Sequence, residues 1–176
     1  MNYISTRNNQ KKVSSAFAIA HGISEEGGLY LPESIPALDS KDFLNISALD
    51  YKGRAEYILK KYLTDFTDDE IKHCVNGAYT GSFDFENPAP IAQLGDSINI
   101  LELWHGPTCA FKDLALQLLP YLLTTSTKKI SDGKKTVILV ATSGDTGKAA
   151  LEGFKDVENT EIIVFYPCDG VSPMQK

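Results

Sequence analysis

Three apolar segments rich in β-branched residues alternate with helical patterns in the second half of the chain. The segments are Ile98–Leu103, Thr136–Ala141 and Glu161–Tyr166. Apolar residues recur at helical spacing over Phe111–Leu123 and over about residues 146–154. Pro120 lies inside the first helical pattern, where proline kinks a helix or shifts its boundary. The βαβαβ order predicts an α/β fold with an open parallel sheet built from βαβ units.

The helices predicted in the first 90 residues are shorter, and residues typical of helix caps mark where they begin. A helix with Phe17 and Ile19 on its apolar face follows Ser14 and Ser15 and ends at Gly22. Two further helices are expected, one over Tyr51–Tyr62 and one that starts at the capping box Thr67–Glu70 and runs toward Gly77.

The other segments of this half have strand or loop character. Tyr3–Arg7 and Gly27–Pro32 favour short strands, whereas Pro36–Asp50 predicts a loop with brief order around residues 43–44. Ser82–Pro90 contains two prolines and is typical of a connection between domains. We therefore expect a small mixed α/β amino-terminal domain over residues 1–90 and a second domain that begins at residue 91.

Composition narrows the possible functions. A net charge of −6 and a pI near 5.0 argue against nucleic acid or an anionic membrane as the partner. The three cysteines, Cys74, Cys109 and Cys168, are too far apart for a metal motif or a disulfide framework, and the adjacent His73 and Cys74 point in different directions. No segment approaches ~20 consecutive apolar residues, and the opening residues Met1–Arg7 lack the basic start and apolar run of a signal peptide. We expect a cytoplasmic protein without a metal site.

The stretch from Glu102 to Gln117 carries the strongest chemical signal. Gly106-Pro107 forces a turn after an apolar strand, so Lys112 is expected where the turn opens a helix. Apolar neighbours and the positive end of the helix dipole both disfavour a charged ammonium at this position. The sequence therefore favours a lysine that attacks a carbonyl over a solvated surface lysine.

A second candidate loop, Ala141-Thr-Ser-Gly-Asp-Thr-Gly147, follows a buried strand. Such loops offer backbone N–H groups to anions at a helix start. A nucleotide P-loop fails because Thr142 stands where glycine is required, and a serine-hydrolase elbow fails because Ala141 and Asp145 replace its glycines. A substrate-anion loop remains, alongside a simple helix cap by Ser143 or Asp145.

The two motifs together resemble a known family. His105-Gly-Pro-Thr-Cys-Ala-Phe-Lys-Asp113 is similar to the H-G-P-T-x-A-F-K-D signature of threonine synthases, and the second loop resembles the T-S-G-D-T-G segment of the same family. The early pattern from Ala18 to Pro32 also resembles the start of bacterial and fungal members. The resemblance implies a fold type II pyridoxal phosphate (PLP) enzyme of the tryptophan synthase β-like group.

The resemblance also implies roles for individual residues. Lys112 would carry PLP and shuttle protons, and Asp145 would lie near the phenolic oxygen of the cofactor. Four residues would line the substrate site: Ser143, Gly144, Thr146 and Gly147. The implied reaction converts O-phospho-L-homoserine and water to L-threonine and phosphate.

Members of this family are longer, and their G-N-F-G-N loop for the cofactor phosphate has no counterpart in these 176 residues. We therefore expect residues 91–176 to be the first part of a PLP-binding catalytic domain, and the chain to be an amino-terminal fragment that is inactive alone. Two alternatives stay open: a β-eliminating relative of threonine dehydratase, or a catalytically silent homologue that binds a ligand.

Overall fold

The computed structural model describes residues 1–130 and 133–172, in which short mixed elements precede a helix-and-strand alternation. The strands are β1 Tyr3–Ser5, β2 Lys12–Val13, β3 Tyr30–Pro32, β4 Ile91–Leu94, β5 Ile98–Leu101, β6 Thr136–Ala141 and β7 Thr160–Phe165. The helices are α1 Ser15–His21, α2 Ser40–Ser47, α3 Tyr51–Tyr62, α4 Asp68–Tyr79, α5 Asp113–Leu116, α6 Leu119–Ile130 and α7 Asp145–Gly153.

These elements form two compact units. The first comprises Met1–Asn76 and the described residues from Tyr121 to Gly133, and the second comprises Gly77–Pro120 and the described residues from Lys134 onward. The expected domain division between residues 90 and 91 concerns a complete protein and stays a prediction.

A small antiparallel sheet opens the first unit. β1 lies between β2 and β3, with Tyr3 paired to Val13 on one side and to Pro32 on the other. The predicted opening strand and the strand after Gly27-Gly28 are therefore both present. Helix α1 begins where Ser14 accepts a hydrogen bond from the Phe17 amide (3.2 Å).

The buried face of α1 differs from the prediction. Ser15, Ala16 and Ala18 are buried, whereas Phe17 and Ile19 are only partly covered. The reason is Asp65, whose carboxylate accepts hydrogen bonds from the Ser15 hydroxyl and from the Ala16 amide and so fixes which side of the helix faces the unit.

Helix α2 lies in the segment that was expected to be a loop. Asp39 caps it and forms a reciprocal capping box with Asp42, with N–H to carboxylate distances of 2.9 and 2.8 Å. The prediction of a loop is wrong because Asp42 takes the place of the usual Glu or Gln, and because no residue of this helix is buried. Its ends are therefore specified by local hydrogen bonds, which apolar periodicity does not report.

Helices α3 and α4 agree with the prediction, including the capping box in which Glu70 accepts from the Thr67 amide (2.7 Å). Helix α4 continues two residues past Gly77. Its core-facing residues are Ile71, Cys74, Val75 and Ala78. His73 is exposed and contacts the Tyr121 ring, so it lies apart from the buried Cys74 thiol.

The predicted helix over Phe111–Leu123 is divided into two. Helix α5 ends at Leu116 and α6 starts at Leu119, which places Pro120 in the first turn of α6. Proline is tolerated there because a first-turn N–H has no partner in the helix. The expected shift of the helix boundary at Pro120 is thus confirmed.

The first of the three predicted core strands pairs differently from the expectation. β5 forms an antiparallel hairpin with β4, and among the described strands it does not join β6 or β7. Gly95, with φ +69°, makes the turn between them. The local hairpin supplies backbone partners to β5 that the sequence interpretation had assigned to a parallel neighbour.

Strands β6 and β7 form the expected parallel pair, joined by α7. Their register runs from Thr136 opposite Thr160 to Ala141 opposite Phe165. Helix α7 buries Gly147, Ala149 and Ala150. The alternate residues of the two strands are exposed, including Leu139 (66% exposed) and Phe165 (59% exposed). One face of this pair therefore lacks cover within the described residues.

Candidate active site

Lys112 lies at the junction that the sequence predicts, immediately before α5. The chain leaves β5, turns at Gly106–Cys109 and enters the helix at Asp113. Within the turn, the Cys109 amide donates to the Gly106 carbonyl (3.0 Å), and Cys109 has φ +57°. Lys112 itself has ordinary right-handed helical dihedrals and is partly exposed.

The surroundings of the Lys112 amine differ in detail from the apolar enclosure that we expected. Its Nζ atom lies 4.1 Å from the centre of the Phe111 ring, and that ring is 60% exposed. Ala110 is buried. Helix α5 has only four residues, so its dipole is smaller than that of the long helix predicted from the apolar spacing.

No carboxylate among the described residues lies within ion-pair distance of the Lys112 amine. A lysine bound tightly to a carboxylate would be held as an ammonium and would attack a carbonyl poorly. A partly exposed lysine without such a partner can be reached by an aldehyde. The chemistry of this donor fits a cofactor such as PLP.

The turn before Lys112 is held by Asp113, a residue whose role the sequence interpretation missed. Its side chain is fully buried and accepts hydrogen bonds from the Thr108 amide (2.9 Å) and from the Thr108 hydroxyl (2.7 Å). The available signal was an aspartate in the first turn of a helix, five residues after a threonine. Sequence periodicity does not reveal such a side-chain contact.

His105 forms a second anchor at the other end of the turn. Its Nε2 atom lies 2.7 Å from a Glu102 carboxylate oxygen, and its Nδ1 atom lies 3.3 Å from Asp84. The Asp84 amide also donates to the His105 carbonyl (3.0 Å). The hydrogen bond to Glu102 raises the pKa of His105, Asp84 raises it further, and desolvation opposes both. A protonated imidazole can donate to both carboxylates at once.

This cluster predicts a pH-dependent contribution to stability. Because the folded pKa of His105 lies above the unfolded value of about 6.5, the contribution is complete below that pH and is lost as the pH rises through the folded pKa. Comparing the melting temperatures of the chain and of His105→Gln from about pH 6 to 9 should show a difference that shrinks with increasing pH.

His73→Gln is the matched control, because His73 contacts an aromatic ring instead of paired carboxylates. If the wild-type advantage over His105→Gln grew with pH, the assigned charge state of the cluster would be wrong.

The second candidate loop lies between β6 and α7. Gly144 is the N-cap residue of α7, and it has no side chain with which to cap the helix. Ser143, Asp145 and Thr146 are exposed. The hydroxyl groups of Ser143 and Thr146 are thus available at the start of the helix.

The backbone of this loop is only partly free to bind an anion. The Gly144 amide donates to the Thr142 hydroxyl (3.2 Å), and the Gly147 amide donates to the Gly144 carbonyl (3.1 Å). A Cβ atom at Gly147 would lie 2.3 Å from Thr142 and 2.9 Å from Val164. Glycine at 147 is therefore required by helix-to-strand packing, whether or not it also lines a substrate.

The helices that follow the two motifs are in contact. Gly153, at the end of α7, packs so closely on α5 that an added Cβ would lie 2.1 Å from the Leu116 carbonyl oxygen. Lys112 precedes one of these helices and Ser143–Gly147 leads into the other. The structure thus places both motifs in the same compact unit. The roles of Lys112, Ser143, Gly144, Asp145, Thr146 and Gly147 stay predictions.

In the part of the chain that the structure describes, no group of three or more His, Cys, Asp or Glu side chains is arranged to hold a metal ion. None of the helices in residues 1–130 and 133–172 has the length and apolarity that a membrane span needs.

Comparison with known proteins identifies the family. Residues 2–79 match the family model described as the threonine synthase N terminus. The threonine synthase of Pseudomonas aeruginosa is 37% identical over 177 residues, which cover 100% of this chain. The enzyme of Saccharomyces cerevisiae is 36% identical and covers 99% of the chain. The chain belongs to the threonine synthase family.

Solved structures of the family agree with the fold. A PLP-bound threonine synthase from Brucella melitensis superposes with a TM-score of 0.89 at 34% identity, covering 99% of this chain and 37% of that one. The yeast threonine synthase gives the same TM-score and identity. The predicted fold type II PLP architecture is therefore confirmed. The chain spans about 37% of the length of the Pseudomonas aeruginosa relative and 36% of the yeast one.

Proposed function

We propose that this chain supplies the lysine and one substrate loop of a threonine synthase, a carbon–oxygen lyase acting on a phosphate ester. The complete enzyme converts O-phospho-L-homoserine and water to L-threonine and phosphate. The observation that carries the proposal is the partly exposed Lys112, at the predicted junction before α5, without an ion-pair partner among the described residues. Membership of the family supports the substrate and the cofactor. The cytoplasmic location expected from composition stays a prediction.

Lys112 has two tasks in this proposal. Its Nζ atom would hold PLP through the aldehyde group, and the free amine would carry protons between carbons of the substrate. When bound, PLP supplies an electron sink. The overall reaction breaks the bond between the γ-carbon and the phosphate oxygen and one C–H bond at the β-carbon. It forms a C–H bond at the γ-carbon and a bond between the β-carbon and a water oxygen, and the remaining water proton leaves with phosphate.

The exposed side chains at the start of α7 are assigned to recognition. Ser143 and Thr146 offer hydroxyl groups, and the Thr146 amide belongs to the first helical turn, where an α-helix provides no acceptor. Such a helix start suits the carboxylate of an amino acid. Asp145 is assigned to the neighbourhood of the cofactor ring, and Gly144 and Gly147 keep the backbone close to the substrate.

An assay of the full-length enzyme, in which this chain is continued by the remainder that its relatives have, tests the proposal. Incubation with O-phospho-L-homoserine and PLP should release phosphate and threonine in equal amounts. Release of phosphate with 2-oxobutanoate and ammonia would indicate the eliminating alternative. Ligand binding without phosphate release would indicate a silent homologue.

Thr146→Ala tests the second loop. We expect a clear loss of kcat/KM with a change of no more than about 1 kcal/mol in the free energy of unfolding, because Thr146 is exposed and does not cap α7. Asp145→Ala should behave likewise. Kinetics and thermal melting of the same preparations separate the two effects.

Thr127→Ala is the control, since among the described residues the Thr127 hydroxyl donates within α6, to the Thr124 carbonyl (3.0 Å). A large drop in melting temperature with unchanged kinetics in Thr146→Ala would assign the loop a structural role instead.

A further inference from the structure

Asp113 is the most completely buried charged residue near the candidate lysine. Its side chain has 0% exposure, although it directly follows the partly exposed Lys112. A buried carboxylate is unfavourable unless its oxygens receive hydrogen bonds. Here both oxygens do, one from the Thr108 hydroxyl and the other from the Thr108 amide. Such charge-assisted bonds are shorter and stronger than neutral ones.

The chain around Thr108 is shaped to lie on this carboxylate. Gly106 faces it so closely that a Cβ atom would lie 2.4 Å from the Asp113 Cβ and 2.5 Å from its Oδ2. A side chain at position 106 would therefore push the turn away from the helix start. The Asp113 amide in turn donates to the Ala110 carbonyl (3.0 Å), which closes the backbone around Lys112.

These contacts fix both sides of the lysine. Residues 106–109 precede Lys112 and are held by the Asp113 side chain, while the Asp113 backbone begins the helix that follows it. A four-residue helix is too short to be rigid without support. The direction of the Lys112 side chain thus depends on a contact that Lys112 does not make itself.

We propose that Asp113 is a positioning residue for Lys112: its buried carboxylate fastens the Gly106–Cys109 turn to the start of α5 and so sets where the lysine amine points. This inference rests on the proposed function, in which Lys112 carries the cofactor. It assigns Asp113 no contact with substrate and no proton transfer. The two hydrogen bonds to Thr108 are the whole of its action.

The first test measures the hydrogen bond between the Thr108 amide and the Asp113 carboxylate in the 176-residue chain. The Thr108 amide should exchange its hydrogen at least about tenfold faster in Asp113→Ala than in the wild type, because its acceptor is gone. In Asp113→Asn the amide should stay protected. An asparagine oxygen can accept from the Thr108 amide while its NH₂ group donates to the Thr108 hydroxyl.

The second test measures the consequence for Lys112 in the full-length enzyme. Asp113→Ala should lower kcat about 100-fold with a smaller change in KM, because displacement of a reacting group by about 1 Å has an effect of this size. Attachment of PLP at Lys112, measured by borohydride reduction and peptide mapping, should slow in parallel. Asp113→Asn should recover most of both losses.

Asp65→Ala provides a matched control from the other unit. Asp65 also accepts from a serine hydroxyl and a backbone amide at a helix start, so its removal has a comparable effect on stability. It should leave cofactor attachment at Lys112 unchanged. If Asp113→Ala fails to fold, Thr108→Val replaces it, because this change removes only the hydroxyl donor, and it should lower kcat about tenfold.

The outcomes separate this inference from the proposed function. Full activity of Lys112→Ala would overturn the proposed function and, with it, the role of Asp113. If Lys112 proves essential but Asp113→Ala, or Thr108→Val in its place, leaves kcat and cofactor attachment as unchanged as Asp65→Ala does, only the positioning role is overturned. A kcat loss in Asp113→Asn as large as that in Asp113→Ala would also overturn it, since the charge and not the fastening would then be required.

Discussion

We expect replacement of Lys112 by alanine to abolish threonine formation in the full-length enzyme, with a loss of more than about 10⁴-fold in kcat. The change removes the amine that holds PLP and the group that carries protons during turnover. Either loss alone is severe, and no second lysine lies in the Glu102–Gln117 stretch to replace it. Threonine formation from O-phospho-L-homoserine under saturating substrate and cofactor provides the measurement.

Lys155→Ala is the matched control for this experiment. Lys155 is exposed and lies just after α7, and its loss should change kcat by less than twofold. Turnover by Lys112→Ala at even a hundredth of the wild-type rate would contradict the assignment of Lys112 as the catalytic amine.

The second prediction is that the 176-residue chain by itself neither binds PLP specifically nor catalyses the reaction. The chain contains Lys112 and the Ser143–Gly147 loop but no G-N-F-G-N sequence for the cofactor phosphate. A phosphate dianion without its donors loses several charge-assisted hydrogen bonds, each contributing roughly 1.5–3 kcal/mol. The loss of three would weaken affinity by several powers of ten.

Titration of PLP into the chain tests this expectation through the visible absorption of cofactor attached to an amine. A weak signal that rises without saturation, equal in wild type and Lys112→Ala, is the expected result. A saturable band at micromolar cofactor that disappears in Lys112→Ala would contradict it.

The exposed face of the β6–β7 pair also supports the expectation that the 176-residue chain is inactive by itself. Val137, Leu139, Ile163 and Phe165 present a continuous apolar surface on β6 and β7, on the side away from the buried residues of α7. Large apolar patches of this kind promote association of a chain with itself. We therefore expect the 176-residue chain to self-associate at this face.

Prediction from the sequence succeeded where periodicity and a local start signal coincide. The bounds of α3 and β6 agree with the prediction residue by residue, because the spacing of apolar residues marks the helix and a continuous apolar run marks the strand. Lys112 was located by a strand, a Gly-Pro turn and a helix signal in succession. Each of these signals depends only on neighbouring residues.

Prediction failed where the structure depends on a contact formed only on folding, or on a side-chain hydrogen bond that apolar periodicity does not reveal. β5 pairs with β4 in a hairpin that turns at Gly95. The sequence did not predict β4, which has only four residues. Helix α2 was missed because its ends depend on Asp39 and Asp42 instead of a buried face. Asp113 was missed because its burial and its bonds to Thr108 exist only after the turn has folded.

The substrate and cofactor assignments have a different basis from the fold. They depend on the nine-residue signature that ends at Asp113 and on the second motif that ends at Gly147, in the order found in the family. The structure adds the setting of each motif at a helix start within one unit. A direct measurement on the loaded enzyme tests the role of Lys112.

That measurement is borohydride reduction of the full-length enzyme with PLP, followed by digestion and mass mapping of the modified lysine. We predict one pyridoxyl group per chain, on Lys112, and none in Lys112→Ala. A pyridoxyl group on Lys148 or Lys155 in place of Lys112 would contradict the central claim.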